Sequence, residues 1–273
     1  MKSLIILLLL TIGQSVLAQD ALDELIAVPL TYPGERGILE IDVVNGSIDV
    51  EGYDGKEVII KAVSQANKKD NDHNRHRRPD KAAEGMKRIS ANSIEIEVTE
   101  RDNNVEVESN SWNQGIDFLI QVPVDFDLKL STVNQGDISV NGVNGSLELN
   151  NVNGEVVAEN ISGSAIIDTV NGKIKTSFNS VSDDEPMAFT TLNGNVDITL
   201  PASVKATFKM KSDQGEIYSD FDMDVSKSGP QVDKSRKGGF KVTIENWVYG
   251  DINGGGPEFL LNNMNGNIYI RKK

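Results

Sequence analysis

Three aspartates alternate with apolar residues in the segment SDFDMDVSK, at Asp220, Asp222 and Asp224. Alternate residues of a strand lie on one face, so the three carboxylates would lie together. Such a cluster could bind Ca²⁺, which takes several oxygen ligands, or supply an acid and a base for polysaccharide cleavage. We favour a simpler interpretation, in which a solvent-exposed face lies opposite a buried one. The buried face would consist of Phe221, Met223 and Val225.

The segment NKKDNDHNRHRRPDKAAEGMKR, residues 67–88, contains eight basic and four acidic side chains and both histidines of the chain. Its arginines Arg75, Arg77 and Arg78 could bind the acidic groups of a glycan or the phosphates of lipopolysaccharide. The two histidines could share a metal, but they offer fewer ligands than a zinc site needs. The composition favours a solvated insertion, and anion binding is the alternative.

Trp112 and Trp247 lie near predicted turns or insertions, where their rings could stack on sugars or, equally, be partly buried. Nucleophilic catalysis is not indicated, because the chain has no cysteine and both histidines lie in one charged segment. The glycines of GDINGGGPE precede a predicted strand rather than a helix, so they do not predict a phosphate site. We therefore predict no catalytic residue, no metal site and no cofactor.

Glycines recur every nine residues between 131 and 176, in a template of an apolar residue, Asn, Gly and an alternating apolar run. A calcium-binding nonapeptide repeat needs an aspartate and paired glycines in every unit, which these units do not offer. Asn-Gly tolerates positive φ at both residues, so each pair predicts a tight turn after a strand of about five residues. The predicted turn glycines are Gly46, Gly136, Gly145, Gly154, Gly163, Gly172, Gly194, Gly215 and Gly266.

The alternation after each glycine predicts strands with one buried face, arranged as an antiparallel meander or as a solenoid. Ser146 and Ser164 follow the glycine in two units, while charged residues follow it in the units between, which indicates two units per coil. We predict an all-β, single-domain β-solenoid, parallel β-helix-like, in which successive coils of about 18–22 residues stack. An antiparallel N-terminal cap, built from SIEIEVTE, NVEVES and IDFLIQVPV, would cover one exposed strand edge.

Composition supports this fold class, because Gly, Asn, Asp, Val and Ile dominate and helical periodicity is almost absent. The net charge of −14 argues against nucleic acid and anionic membranes as main partners. The absence of cysteine excludes a disulfide framework. Burial and backbone pairing must therefore stabilise the fold.

The first eighteen residues predict a signal peptide, with a basic residue at Lys2, an apolar run and the small-residue site Val16-Leu17-Ala18. The apolar run is too short to span a membrane, and no later segment qualifies. We expect export to the periplasm, the cell surface or the medium. The mature domain would comprise residues 19–273, with polar insertions at about 64–88 and 225–240.

The segment FLIQVPVDFDLKLSTVNQGDISV, the V-N-G-x-I-x-V copies and the ending GGGPEFLLNNMNGNIYI together resemble the bacterial putative-adhesin family of β-strand-repeat proteins, a domain of unknown function. The resemblance covers roughly residues 39–270, apart from the two insertions. It implies a β-helix-like solenoid that is exported to the envelope or beyond. It supplies no catalytic residues to transfer. The extra Gln135 and the insertions depart from the family's pattern.

We predict an exported, non-enzymatic envelope or surface protein, an adhesin-like binding module for an extended partner such as a glycan or a surface protein. Two alternatives remain open. One is a structural or sensory envelope scaffold that binds a protein of its own cell. The other is a polysaccharide-cleaving β-helix enzyme that uses acidic residues on a sheet face.

Overall fold

The structure of the chain is a computed structural model. It describes residues 24–65, 96–109, 115–134, 136–227, 231–234, 240–243 and 246–273. These residues form twenty-two β-strands and no helix, which confirms the all-β prediction. In the described part of the chain, no helix is therefore long and apolar enough to cross a membrane. The predicted signal peptide and residues 66–88 of the first insertion lie outside the described residues.

The strands, in chain order, are β1 (Glu24–Pro29), β2 (Gly37–Asn45), β3 (Ile48–Tyr53), β4 (Glu57–Ser64), β5 (Ile96–Arg101), β6 (Asn104–Ser109), β7 (Ile116–Pro123), β8 (Phe126–Asn134), β9 (Ile138–Asn141), β10 (Asn144–Asn151), β11 (Val156–Asn171), β12 (Ile174–Val181), β13 (Met187–Asn193), β14 (Val196–Leu200), β15 (Ala206–Ser212), β16 (Ile217–Ser219), β17 (Asp224–Lys227), β18 (Gln231–Lys234), β19 (Phe240–Thr243), β20 (Val248–Ile252), β21 (Glu258–Asn265) and β22 (Ile268–Lys272).

Twenty of these strands form one sheet that divides into two stacks. The first stack runs in the order β5, β6, β2, β8, β10, β11, β13, β21, β15, β20, β17, and its pairings from β6 to β15 are all parallel. The second stack runs β1, β4, β7, β3, β9, β11, β12, β14, β22, β16, and it is parallel from β7 to β16. The long β11 contributes its first residues to the second stack and its last residues to the first.

The core lies between the two stacks because strands such as β2, β10 and β14 alternate buried and outward-facing residues. Leu39, Leu128 and Leu147 are fully or almost fully buried, and they lie side by side at one register position of neighbouring strands. Each such side chain stabilises the fold by roughly 1.5–3 kcal/mol relative to leaving it exposed. The interior is therefore a continuous column of apolar rungs.

A strand of the first stack followed by a strand of the second makes one solenoid-like coil. In the middle of the molecule the coils follow one another along the chain, from β8–β9 through β10–β11 and β11–β12 to β13–β14. Leu147 of β10, for example, lies between Leu128 of the preceding coil and Ala165 of the following one. The regular spacing of glycines in this part of the sequence reflects that order.

At both ends of the stack, the spatial order of the coils differs from their order in the sequence. The prediction that successive coils stack on one another is therefore wrong there. The coil β2–β3 lies between β6–β7 and β8–β9, although β6–β7 comes later than β2–β3 in the sequence. The coil β21–β22, the last along the sequence, lies between β13–β14 and β15–β16. At each end, one coil is thus inserted between two others.

Antiparallel strands flank both ends of the stack. β5 and β6 pair around a turn at Asp102 and Asn103, whose φ angles are 54° and 62°. β1 and β4 extend the second stack beyond β7. At the opposite end, β20 and β17 extend the first stack beyond β15, so the start of the predicted 225–240 insertion belongs to the sheet.

Candidate binding groove

The predicted turn glycines form two columns along the stack. The main column places a glycine at the corner between the two strands of each coil, and an added Cβ would overlap the backbone of the coil beside it. A side chain is therefore excluded by close approach of the coils. In spatial order this column is Gly46, Gly136, Gly154, Gly172, Gly194, Gly266 and Gly215. Gly145 and Gly163 form a shorter column at the opposite corner.

Asn-Gly tolerates positive φ at both residues, but the asparagines of these predicted tight turns do not adopt it. Among the described residues, the only non-glycine residues with positive φ are Asp102, Asn103, Asn160 and Asn253, and none is a corner asparagine. In the main column, φ is clearly left-handed at Gly46 and Gly266 but not at Gly154 or Gly172. The corners are gradual bends, and glycine is needed there chiefly because the neighbouring coil is so close.

A ladder of polar side chains, the inner ladder, holds the corners together, and all its members are buried except the half-buried Ser212. Each member donates a hydrogen bond to the carbonyl oxygen of a main-column glycine in the neighbouring coil, at distances of 2.7–3.0 Å. Its members are Thr132, Asn151, Thr169, Thr191, Asn263 and Ser212. The ladder continues through the exchanged coil, because Asn263 donates to Gly194 and Ser212 donates to Gly266.

Directly beside the inner ladder, on the outer face of the first stack, lies an open groove of about 620 Å³. Six adjacent strands each contribute one half-buried polar side chain to its floor at the same register position. The floor residues are Ser131, Asn150, Asp168, Thr190, Asn262 and Lys211. The wall consists of aliphatic side chains that are 36–45% exposed, namely Val152, Val170, Leu192 and Met264.

Asp168 is the floor residue with unusual electrostatics. Burial against the groove raises the pKa of its carboxyl group, a hydrogen bond to the Thr190 side chain acts in the opposite direction, and repulsion from Glu148 raises it further. Perturbed carboxyl groups that lie in a cleft are characteristic of functional sites. A cationic or hydrogen-bond-donating group of a ligand would relieve the cost of this buried charge.

Trp247 lies close to the end of the groove formed by β15. The Nζ atoms of Lys209 and Lys211 lie 4.8 Å and 5.8 Å from the centre of its ring, within the range of cation–π attraction. Lys211 also forms an ion pair with Asp213 at 3.2 Å. The half-buried indole thus contacts two ammonium groups, and the two lysines outnumber Asp213, so this end of the groove has a net positive charge.

A second ladder, exposed to solvent, runs beyond the aliphatic wall. The side-chain amides of the corner asparagines donate from one coil to the next, at 2.8 Å from Asn171 to Asn153 and at 2.7 Å from Asn265 to Asn193. The full series is Asn134, Asn153, Asn171, Asn193 and Asn265. The asparagine of the repeat therefore serves contacts between coils rather than a turn conformation.

The remaining predicted site residues have different outcomes. Arg75, Arg77, Arg78 and Trp112 lie outside the described residues. Anion binding by the arginines and sugar stacking by Trp112 therefore stay predictions. Of the tryptophans proposed for sugar stacking, the structure describes Trp247. No set of three or more His, Cys, Asp or Glu side chains within the described ranges is arranged to hold a metal ion.

The three aspartates do not share one strand. The chain bends at Asp220 and Phe221, and β17 begins only at Asp224. Phe221 is buried, as expected, but Val225 is 59% exposed, so its predicted burial is wrong. Among the described strands, β17 pairs with β20 alone and lies at the edge of the sheet, beyond the last coil of the first stack.

The groove was not predicted, although the sequence contains a signal for it. Six of the seven main-column corners, all except that at Gly46, are preceded by two polar residues, as in Asn150-Asn151, Asp168-Thr169 and Thr190-Thr191. The second of each pair joins the inner ladder and the first forms the groove floor. The repeat template of the sequence analysis starts at the apolar residue that follows each of these pairs, so it does not include the two polar residues.

Comparison with known proteins agrees with the family resemblance seen in the repeats. Residues 121–253 match the family Toastrack DUF4097, a domain of unknown function, which confirms the resemblance. Among solved structures, a putative cell adhesion protein from Clostridium sporogenes is 15% identical, with a TM-score of 0.45 over 92% of this chain and 98% of that one. A putative adhesin from Bacteroides fragilis is 13% identical, with a TM-score of 0.29 over 92% and 97%. No curated protein matches the chain.

Proposed function

We propose that the chain is an exported, non-enzymatic binding module of the cell envelope or surface, and that the groove binds an extended partner. The proposal rests on the continuity of the groove, to which six adjacent strands each contribute one half-buried polar side chain. At the usual spacing between strands, six strands extend over about 24 Å. That length suits a chain-like ligand better than a compact small molecule.

The chemistry of the groove supports the same partner class. Hydroxyl groups of Ser131 and Thr190 and amides of Asn150 and Asn262 offer donors and acceptors to a polar chain. The aliphatic wall offers apolar contact area, and Trp247 adds an aromatic surface near one end. A glycan or an extended polypeptide can use both kinds of contact.

The non-enzymatic part of the proposal rests on the composition of the floor. Glycoside cleavage uses two carboxyl groups that flank the scissile bond. The floor has one carboxyl group, Asp168, among hydroxyl, amide and ammonium groups. The other carboxyl group that lines the groove, Asp213, is paired with Lys211 at 3.2 Å and follows β15, with β13 and β21 between it and Asp168. Incubation with polysaccharides tests this directly. Shortening of a polymer by the native chain but not by Asp168→Asn would show that the site is catalytic.

We further propose that residues 19–273 form one β-solenoid domain with coils of about 18–22 residues, after removal of a signal peptide at 1–18. The parallel registers of both stacks support this arrangement. In this view, the antiparallel strands at the β6–β7 end act as a cap that covers an otherwise open edge. N-terminal sequencing of the exported protein tests the cleavage site.

Binding to immobilised glycans and peptides tests the proposed site, and the chain offers a matched pair of variants. Leu192 lies in the wall of the groove and is 41% exposed, while Leu119 lies on the outer face of the second stack and is 44% exposed. Leu192→Glu places a charge in the groove and should reduce binding at least about tenfold, whereas Leu119→Glu should leave binding unchanged. Equal binding by both variants would exclude the groove as the site.

A further inference from the structure

The groove continues past β8 towards the β6 end of the stack. A second depression of about 480 Å³ is lined by outward-facing residues of β2, β6 and β8, and Ser131 and Asn150 line both depressions. Together they form one long groove that crosses eight adjacent strands, from β6 to β15. Eight strands extend over about 34 Å.

The β6 end of the long groove is strongly acidic. Glu40, Asp42, Glu106 and Glu108 line it, and Glu40 lies directly opposite Glu106 in the pairing of β2 with β6. Like charges at opposite positions of neighbouring strands destabilise a sheet. Among the described residues that line this end, Lys129 is the single cation, and its Nζ lies 3.7 Å from Glu40.

On the outer face of the second stack, acidic residues form ion pairs with basic ones. There Glu159 is paired with Lys175 at 2.7 Å, and Asp197 is paired with Arg271 at 2.7 Å and 3.0 Å. Glu159 and Asp197 therefore each have a basic partner, while four acids at the β6 end of the groove share one lysine. Local conflicts of this kind in an otherwise consistent fold are expected at functional sites.

The charge reverses at the other end of the long groove. Lys209 and Lys211 lie on β15 beside Trp247, and Lys211 lines the groove together with Asp213, with which it is paired at 3.2 Å. The two lysines outnumber this one aspartate, so this end has a net positive charge. Between the two ends, the floor is mostly uncharged, with Asp168 as its one carboxyl group, and the wall is aliphatic. A ligand that lies along the whole groove thus meets acids first, then amides, hydroxyls and aliphatic groups, and finally ammonium groups.

We infer that the long groove binds an extended polypeptide segment of another protein, with basic residues over β2 and β6 and acidic residues over β15. This inference rests on the proposed function, since it names the class of the extended partner. A uniformly charged glycan would be repelled at one end, and a neutral glycan would leave both ends without counter-charges. A polypeptide can change its charge from residue to residue, and about ten extended residues span the groove.

Synthetic peptides test the inference. The first probe is a peptide of about twelve residues, with lysines in its first third, alternating valine and threonine in its middle third and glutamates in its last third. The second has the same composition with its charged residues alternating along its length. We expect the first peptide to bind at least about tenfold more tightly, and its affinity to fall as salt is raised. Equal affinities, or none for either peptide, would overturn the inference.

Paired variants locate the contact. Glu106→Gln with Glu108→Gln removes two acids from the β6 end, and Asp49→Asn with Glu51→Gln removes two from the outer face of β3. Only the first pair should weaken binding of the polarised peptide, by about tenfold. Replacing Glu106 and Glu108 by lysine should shift the preference to a peptide with glutamates in both end thirds. Equal losses from both pairs would overturn the inference.

Oligosaccharides separate this inference from the proposed function. Deacetylated chitin oligomers are cationic glycans, and hyaluronan oligomers are acidic ones. If either binds in a manner abolished by Leu192→Glu while both peptides fail, the groove binds an extended partner but the polypeptide inference is wrong. If neither the glycans nor the peptides bind, the proposed function fails as well.

Discussion

The corners of the coils and the groove beside them are built from consecutive residues, yet their polar side chains serve different purposes. Thr169 is buried and donates a hydrogen bond to the Gly154 carbonyl at 3.0 Å, whereas Asp168 points outward into the groove. Successive residues of a strand face opposite sides, so one residue of a dipeptide can join the inner ladder while the other lines the groove. Stability and binding should therefore respond to different substitutions in the same few residues.

The largest expected effect comes from the glycine column. Gly172→Ala would bring a Cβ into the backbone of Gly154, which cannot move without disturbing the next coil. We expect the free energy of unfolding, measured in urea, to fall by more than about 3 kcal/mol.

Gly142→Ala is the control for Gly172→Ala. At Gly142 the nearest atom to an added Cβ is 3.8 Å away, and φ is 71°. Only backbone strain is then expected, about 1–2 kcal/mol. Equal losses at Gly142 and Gly172 would show that close approach of the coils is not what requires the glycine column.

The inner ladder should contribute less per residue. Thr132→Val keeps the shape of a buried side chain but removes its hydrogen bond to the Gly46 carbonyl, 2.8 Å long. We expect a loss of about 1–2 kcal/mol, because the carbonyl is left without this donor. Thr199→Val, on the outer face of β14, is the control and should change the stability by less than about 0.5 kcal/mol. A loss no greater than the control's would contradict a stabilising role for the ladder.

The exposed asparagine ladder should contribute less again. Asn171 donates to Asn153 and accepts from Asn193, each at 2.8 Å, but water can replace both bonds. Asn171→Ala should therefore lower the free energy of unfolding by about 0.5 kcal/mol, measured in the same urea titration. A loss comparable to that of Thr132→Val would mean that exposed and buried ladders stabilise the corners equally.

A substitution in the floor of the groove should change the free energy of unfolding least, and should raise it instead of lowering it. Burial raises the pKa of Asp168, so stability should fall as pH rises from about 3.9, the ordinary aspartate value, through the raised value. Above that window Asp168→Asn should be more stable than the native chain, by less than about 1 kcal/mol because the carboxyl is half exposed. The difference should vanish below the ordinary value.

Urea titrations at several pH values measure this difference. Asp49→Asn, on the outer face of β3, controls for the change in net charge. A native chain that is more stable than Asp168→Asn at neutral pH would show that the floor of the groove is built for stability instead.

The repeat pattern predicts the strands well but not which apolar residues are buried. Glycine spacing and alternation place β12, β14 and β22 correctly after Gly172, Gly194 and Gly266. The apolar residue before Asn-Gly is of the same type as the buried ones after it, yet Leu192 and Met264 are 41% and 45% exposed. Alternation assigns the residues within a strand to an inner and an outer face. It does not predict whether the residue at the bend after the strand is buried or exposed. The groove is formed at that point.

The exchanged coils could not be predicted from the repeats for a different reason. Met264-Asn265-Gly266 has the same pattern as Leu192-Asn193-Gly194, so its local sequence is compatible with any position in the stack. Its actual neighbours are fixed by contacts far away in the chain. Phe259 packs edge-to-face on Phe208, with ring centres 5.3 Å apart, and Asn263 reaches Gly194. Such pairings are invisible in a short sequence window.

This exchange affects how the molecule can fold. A simple solenoid can add coils one after another, each on its predecessor. Here the β15–β16 coil cannot find its parallel neighbours until β21 and β22 have been made and inserted. Folding of the whole stack therefore requires contacts between distant parts of the chain, and such contacts form slowly. In pulsed hydrogen exchange during refolding, amides of β15 should gain protection no earlier than those of β21, and earlier protection of β15 would contradict this order.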